Sequence, residues 1–162
     1  MKTPAKVLLI TLTTAMGVAA AAWAGTLLYW HVRITSALRV MDVTLPGQMT
    51  SLSWPTELNE ASEVLRSAGC RALPHLIRSA ESTRDFELEE VLVGWLIGEV
   101  TEGNGEPNDE LADALRARFA PVYLDSPAVR RKKRDQLKAW WNENGSRLHQ
   151  WWRVWSSHCG TP

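Results

Sequence analysis

Residues 7–30 read VLLITLTTAMGVAAAAWAGTLLYW without a single charge, behind a short basic flank (residues 1–6) that carries Lys2 and Lys6. No other feature of the chain restricts its fold as much. At about 1.5 Å per residue the run gives a helix of roughly 36 Å, longer than the ~30 Å hydrocarbon core of a bilayer. A transmembrane helix over 7–32 is therefore expected, with Tyr29 and Trp30 at the exit level where an aromatic belt belongs. Ala22-Trp23-Ala24 before Gly25 has the small-x-small form of a processing site. Cleavage there would leave GTLLYW as an apolar new end, so an uncleaved signal anchor is the preferred reading. Lys2 and Lys6 on one flank and Arg33 and Arg39 on the other barely separate the two orientations. The short basic N-terminus favours the inside, which puts the larger C-terminal domain on the exported side.

Beyond the anchor the chain divides into a stalk over 33–55, a helical domain over 56–158 and a tail over 159–162. The stalk is rich in Thr, Ser and Pro and holds a Pro46-Gly47 turn signal, with a short continuation of the anchor helix to about Met41 as an alternative. Helical spacing of Leu58, Ala61, Leu65 and Ala68, stopped by Gly69, predicts a helix over 56–68. Leu73, Leu76, Ile77 and Ala80 mark a second, with Pro74 tolerated in its first turn. Leu88, Val91, Leu92, Trp95 and Leu96 form the stripe of a third, whose first turns hold Glu87, Glu89 and Glu90 at the positive end of the helix dipole. TEGNGEPN at 101–108 is a loop, and Leu111, Ala112, Leu115 and Phe119 mark a fourth helix ending before Pro121. Ser126-Pro127 starts a fifth that should stop at Asn144-Gly145, after which Ser146 would cap a last helix striped by Leu148, Trp151, Trp152 and Trp155. No alternating strand-length segment competes, so the fold class is all-α.

Within that series one stretch is familiar. GCRALPHLIRSAESTRDFELEEVLVGWLIGEV, residues 69–100, has an Ala72-Leu73-Pro74-x-Leu76 opening, a polar turn and a second helix closing on Leu96-x-Gly98, and it resembles a HEAT repeat unit. The resemblance implies antiparallel helix pairs stacked into a solenoid that binds other proteins. It covers about 32 residues, and an ordinary helical bundle with one such hairpin is the alternative, because a solenoid needs about three units to bury a continuous core.

A formal net charge of zero hides a division. Between residues 57 and 113 fourteen acids face four arginines, whereas between 116 and 153 ten bases face three acids. Such a bipolar domain can present an oriented field to a charged partner. Two basic and aromatic features are candidates for contact. RRKKR at 130–134 supplies Arg130, Arg131, Lys133 and Arg134, and five consecutive helical residues spread around more than a turn, so a solvated face competes with binding. Five tryptophans fall within sixteen positions at 140–155, of which Trp151, Trp152 and Trp155 can cap the domain, form a hot spot or lie in a membrane interface.

These residues lead to the expectation of a membrane-anchored, non-catalytic protein-interaction module with an acidic protein partner, the alternative being a module that binds anionic lipid through its basic, tryptophan-rich C-terminal helices. No nucleic acid, cofactor or metal is expected. Scattered His31, His75, His149 and His158, the lack of a phosphate loop or nucleophile elbow, and adjacent Glu89 and Glu90 that cannot form a local dyad all speak against an enzyme. Cys70 is read as a small core residue. A bridge to Cys159, worth roughly 4 kcal/mol in the chain-entropy model, is the alternative.

Overall fold

One helix carries the chain from the apolar segment into the domain. The computed structural model describes residues 3–46, 55–102 and 108–148, with side chains from residue 10 onward. Its elements are α1 (Thr3–Thr44), α2 (Thr56–Ala68), a 3₁₀ turn (Gly69–Ala72), α3 (Leu73–Ser82), α4 (Phe86–Glu102), α5 (Asp109–Phe119) and α6 (Pro127–Leu148). The described residues are all-helical apart from their connections, without a strand.

α1 changes character along its length. From Ile10 to Arg33 no side chain is buried, although Ile10, Leu12, Met16, Val18, Leu27 and Leu28 are apolar. Thr13, Thr14 and Thr26 donate their hydroxyls to carbonyls of the preceding turn, at 2.8–2.9 Å, so these groups have no need of water. The helix is long and apolar enough to span a membrane. Past that point Ile34, Ala37, Met41 and Leu45 turn one face into the core. Residues 34–45, expected in the stalk, are therefore the first core helix of the domain, and the helix that begins in the apolar segment continues beyond Met41. Their apolar period is diluted by Thr35, Ser36, Arg39 and Asp42 on the outer face, which is why the stretch reads as irregular.

The predicted stripes of α2 and α3 are buried as expected: Leu58, Ala61, Leu65 and Ala68, then Leu73, Leu76, Ile77 and Ala80. Gly69, with φ 54°, supplies the left-handed residue that ends α2. Asp85 accepts a hydrogen bond from the Leu88 amide at 2.9 Å, Asn108 from Leu111 at 3.0 Å and Ser126 from Val129 at 3.3 Å, each satisfying an orphan donor at the start of α4, α5 or α6. α4 differs from its predicted stripe. Val93, Ile97 and Val100 are buried with Leu88, Leu92 and Leu96, while Val91 and Trp95 are half-buried. The helix packs against α3 on one side and α5 on the other, so its buried sector is wider than one stripe.

Helix directions follow from named contacts. Arg71 stacks over Trp30 at 5.1 Å and the rings of His75 and His31 lie 5.1 Å apart, while Ser82 and Thr83 share a cleft with Asp42. α3 therefore runs alongside α1 in the same direction, starting where α1 loses its packing. α6 runs the opposite way, with Arg134 at Thr83 and Lys138 at Glu81, so its C-terminal end returns to the end of the domain next to the apolar segment. α5 packs on α4 and α6 on α3. Repeat translation would instead stack α5 on α3 and α6 on α4, and the described helices do not show HEAT repeats.

α6 also crosses its predicted stop. It continues through Gly145 and Ser146 to Leu148, and Gly145 is buried beneath Trp141, where a Cβ would meet ring carbons at 2.7 and 2.9 Å. The glycine is there for close approach within the helix, and Ser146 starts no new helix. The remainder of the expected last helix lies outside the described residues.

Candidate interaction site

The basic run sits on the first half of α6, and most of it faces inward. Arg130 donates from Nη2 and Nε to Glu89 Oε2, at 2.7 and 3.1 Å, and Arg134 Nη1 reaches the same oxygen at 3.4 Å. Four residues apart, the two arginines share a face of the helix and close on one carboxylate at the start of α4. The Glu89 side chain is 2% exposed, those of Arg130 and Arg134 18% and 24%. Arg130 also lies over the Phe86 ring at 5.4 Å and donates to the Arg84 carbonyl, and Arg134 donates to Thr83 O at 3.0 Å.

Lys133 points to the other side. Its Nζ donates at 2.7 Å to both Ala120 O and Asp125 Oδ2, which fastens the α5–α6 connection. The hydrogen bond from Lys133, then that from the Val122 amide, holds the Asp125 carboxyl below the usual carboxylate range. Of the four basic candidates Arg130, Lys133 and Arg134 are thus engaged inside the domain, and Arg131 is exposed beside Lys132. Trp151, Trp152 and Trp155 lie outside the described residues. Their neighbour Trp140 is core, tilted against Phe119 with ring centroids 5.7 Å apart.

The open surface of opposite sign lies between α1 and α2. A groove of about 640 Å³ is floored by Trp30, Ala37, Val40, Ala61 and Val64 and rimmed by Glu57, Glu60 and Glu63 on α2. The rim repeats every three residues because these positions share one exposed edge of α2, beside the buried Leu58, Ala61 and Leu65. Glu63 pairs with Arg66 at 2.9 Å on the surface. At the end next to the apolar segment the groove closes on Trp30 and Arg33, whose Nη1 donates to the Tyr29 hydroxyl at 2.7 Å. Burial against this collar draws the Arg71 pKa down, although a guanidinium so placed stays charged at neutral pH. Composition alone could not reveal the groove, since it needs residues 34–45 to be helical and packed.

Cys70, at the same end of the domain, is buried and disulfide-bonded rather than a free core thiol. Cys159, the other cysteine of the chain, lies outside the described residues. Among the described residues no group of three or more His, Cys, Asp or Glu side chains could hold a metal ion. Comparison with family models, with curated proteins and with solved structures returns no match.

Proposed function

We propose that this chain is a membrane-anchored, non-catalytic docking module in which α1 spans the bilayer and the α1–α2 groove receives a basic amphipathic helix of a protein partner at the membrane surface. The observation that carries this reading is an apolar floor rimmed by Glu57, Glu60 and Glu63, beginning where α1 loses its packing partners. An amphipathic helix binds by laying its apolar stripe into such a groove, and the acidic rim selects positive flanks. The partner sign differs from the acidic one expected from the sequence because Arg130, Lys133 and Arg134 are committed to internal pairs. α3 packs along α1 and carries α4 on its other side. The disulfide-bonded Cys70 supports a domain on the exported side, where such bonds persist.

The test uses the full chain in zwitterionic nanodiscs and a fluorescent amphipathic peptide with lysines on its polar face, with empty nanodiscs as the reference. Anisotropy should report salt-sensitive binding that Glu57→Lys with Glu60→Lys weakens at least tenfold. Equal binding by that variant, or preference for a peptide with glutamates in place of the lysines, would remove the reading.

A second reading, lipid contact by the C-terminal helices, is favoured by one observation: α6 ends, at Leu148, on the side of the domain next to the apolar segment. Replacing Trp151, Trp152 and Trp155 together by Phe would then abolish most quenching of tryptophan emission by brominated headgroup-level lipid beyond that due to the anchor. Unchanged quenching would refute it.

A further inference from the structure

Opposite the acidic groove, the other flank of α1 forms a cleft with α3, and its lining has the reverse chemistry. About 430 Å³ in volume, it is bordered by His31, Thr35 and Arg39 of α1 and by His75, Arg78 and Ser79 of α3, with Asp42 the one carboxylate among them. Arg39 and Arg78 are exposed and make no ion pair or hydrogen bond among the described residues. Asp42 shares the cleft without pairing with either of them, so both arginines line it without an ion-pair partner among the described residues. The imidazoles of His31 and His75 stand 5.1 Å apart, and each carries an N–H donor even when neutral.

We propose that this cleft binds a phosphate group, with the two arginines supplying charge-assisted hydrogen bonds and the imidazoles and hydroxyls completing the donor set. Guanidinium donors match phosphate oxygens in geometry and charge, and a single carboxylate leaves the site cationic. The cleft's place on α1 fits the phosphate of an anionic phospholipid headgroup. His31 follows Trp30 directly, and Arg39 lies eight residues further on, about 12 Å along the helix. His31 and His75 thus stand at the level where headgroups begin, with Arg39 and Arg78 lining the same cleft. Assignment to a lipid rests on α1 spanning the bilayer, whereas phosphate binding as such does not. Neither depends on the α1–α2 groove.

The full chain, with histidine ring nitrogens labelled, is placed in zwitterionic nanodiscs and titrated with inorganic phosphate. In parallel it is placed in nanodiscs containing phosphatidic acid. His31 and His75 ring resonances should move together and saturate, and Arg39→Gln with Arg78→Gln should weaken the response at least tenfold. Because both arginines are exposed, that variant keeps the wild-type melt. A response to phosphatidic acid identifies the headgroup as the source. A response to inorganic phosphate alone assigns the cleft to a soluble phosphate and overturns the lipid source. No joint shift of His31 and His75 in either arm, or the same shifts in the double variant, overturns the site itself. Failure of the anchor reading would show separately, as protein extracted from membranes by alkaline carbonate, with the inorganic phosphate arm still decisive for the cleft.

Discussion

Replacing Glu89 by Gln tests whether the charges of α4 and α6 are a structural joint. The substitution keeps shape and removes the charge that two arginines share. Arg130 and Arg134 are left with side chains 18% and 24% exposed, partly desolvated and without a counter-ion. Breaking a buried ion pair typically costs about 3–5 kcal/mol. The lower end applies here, because Arg130 retains a carbonyl at 3.4 Å and Arg134 one at 3.0 Å, and both keep some water. A loss of about 3 kcal/mol is expected, more than a hundredfold in the folding equilibrium. Removing all three charges together, with Glu89→Leu, Arg130→Met and Arg134→Met, leaves no stranded ion and should return stability to within about 1 kcal/mol of the wild type. Urea titration of the full chain in mild detergent, followed by far-ultraviolet circular dichroism, measures both variants. A single substitution that shifts stability by less than about 0.5 kcal/mol, a surface-like value, would refute the reasoning. So would a triple variant as damaged as the single one.

Two further outcomes follow from the described contacts. A fragment starting at residue 56 lacks Ile34, Ala37, Met41 and Leu45 and strips the cover from α2, so it should aggregate or lose helicity, whereas one starting at residue 31 should fold; gel filtration and circular dichroism decide, and a monomeric, cooperatively melting 56–162 fragment would contradict the packing of α1. Because Lys133 and the Val122 amide lower the Asp125 pKa in the folded state, its contribution is complete above the unfolded value of about 3.9 and is lost as pH falls through the lower, folded one; Asp125→Asn should flatten the acid limb of stability below about pH 4, and an unchanged limb would show that the pair contributes nothing.

Local pattern was a good guide where one face of a helix meets one neighbour. Leu58, Ala61, Leu65 and Ala68 of α2 and Leu73, Leu76, Ile77 and Ala80 of α3 are buried on the faces their spacing indicates, and Ser126 caps where its side chain suits the first turn. Pattern failed where meaning depends on a distant partner. Glu89 looks like a helix-dipole residue beside Glu87 and Glu90, yet it lies on the same buried sector as Val93 and Ile97, and only the arrival of α6 explains how a carboxylate survives there. RRKKR divides into an inward pair, a connection-fastening lysine and an outward pair according to the rotation of α6, a quantity that a run of five similar residues leaves undefined. Gly145 punctuates the sequence like a stop but serves the ring of Trp141 four residues earlier. The interaction groove was the least legible feature. Its two walls come from a stretch that reads as a stalk and from a helix whose outer acids look merely solvated.

Because α1 passes from the apolar segment to Leu45 without a break, it is also a lever. From Trp30 to Thr44 the helix extends about 21 Å beyond the level of its aromatic collar. Apolar helices tilt to match the thickness of the hydrocarbon around them, and a change of about 10° would sweep the far end of α1 sideways by about 4 Å. There is no joint in the described helix to absorb such a swing. The groove and the cleft on its two flanks would move together as one body, so with α1 spanning a bilayer, as proposed, their height and pitch above its surface would be set by the bilayer itself.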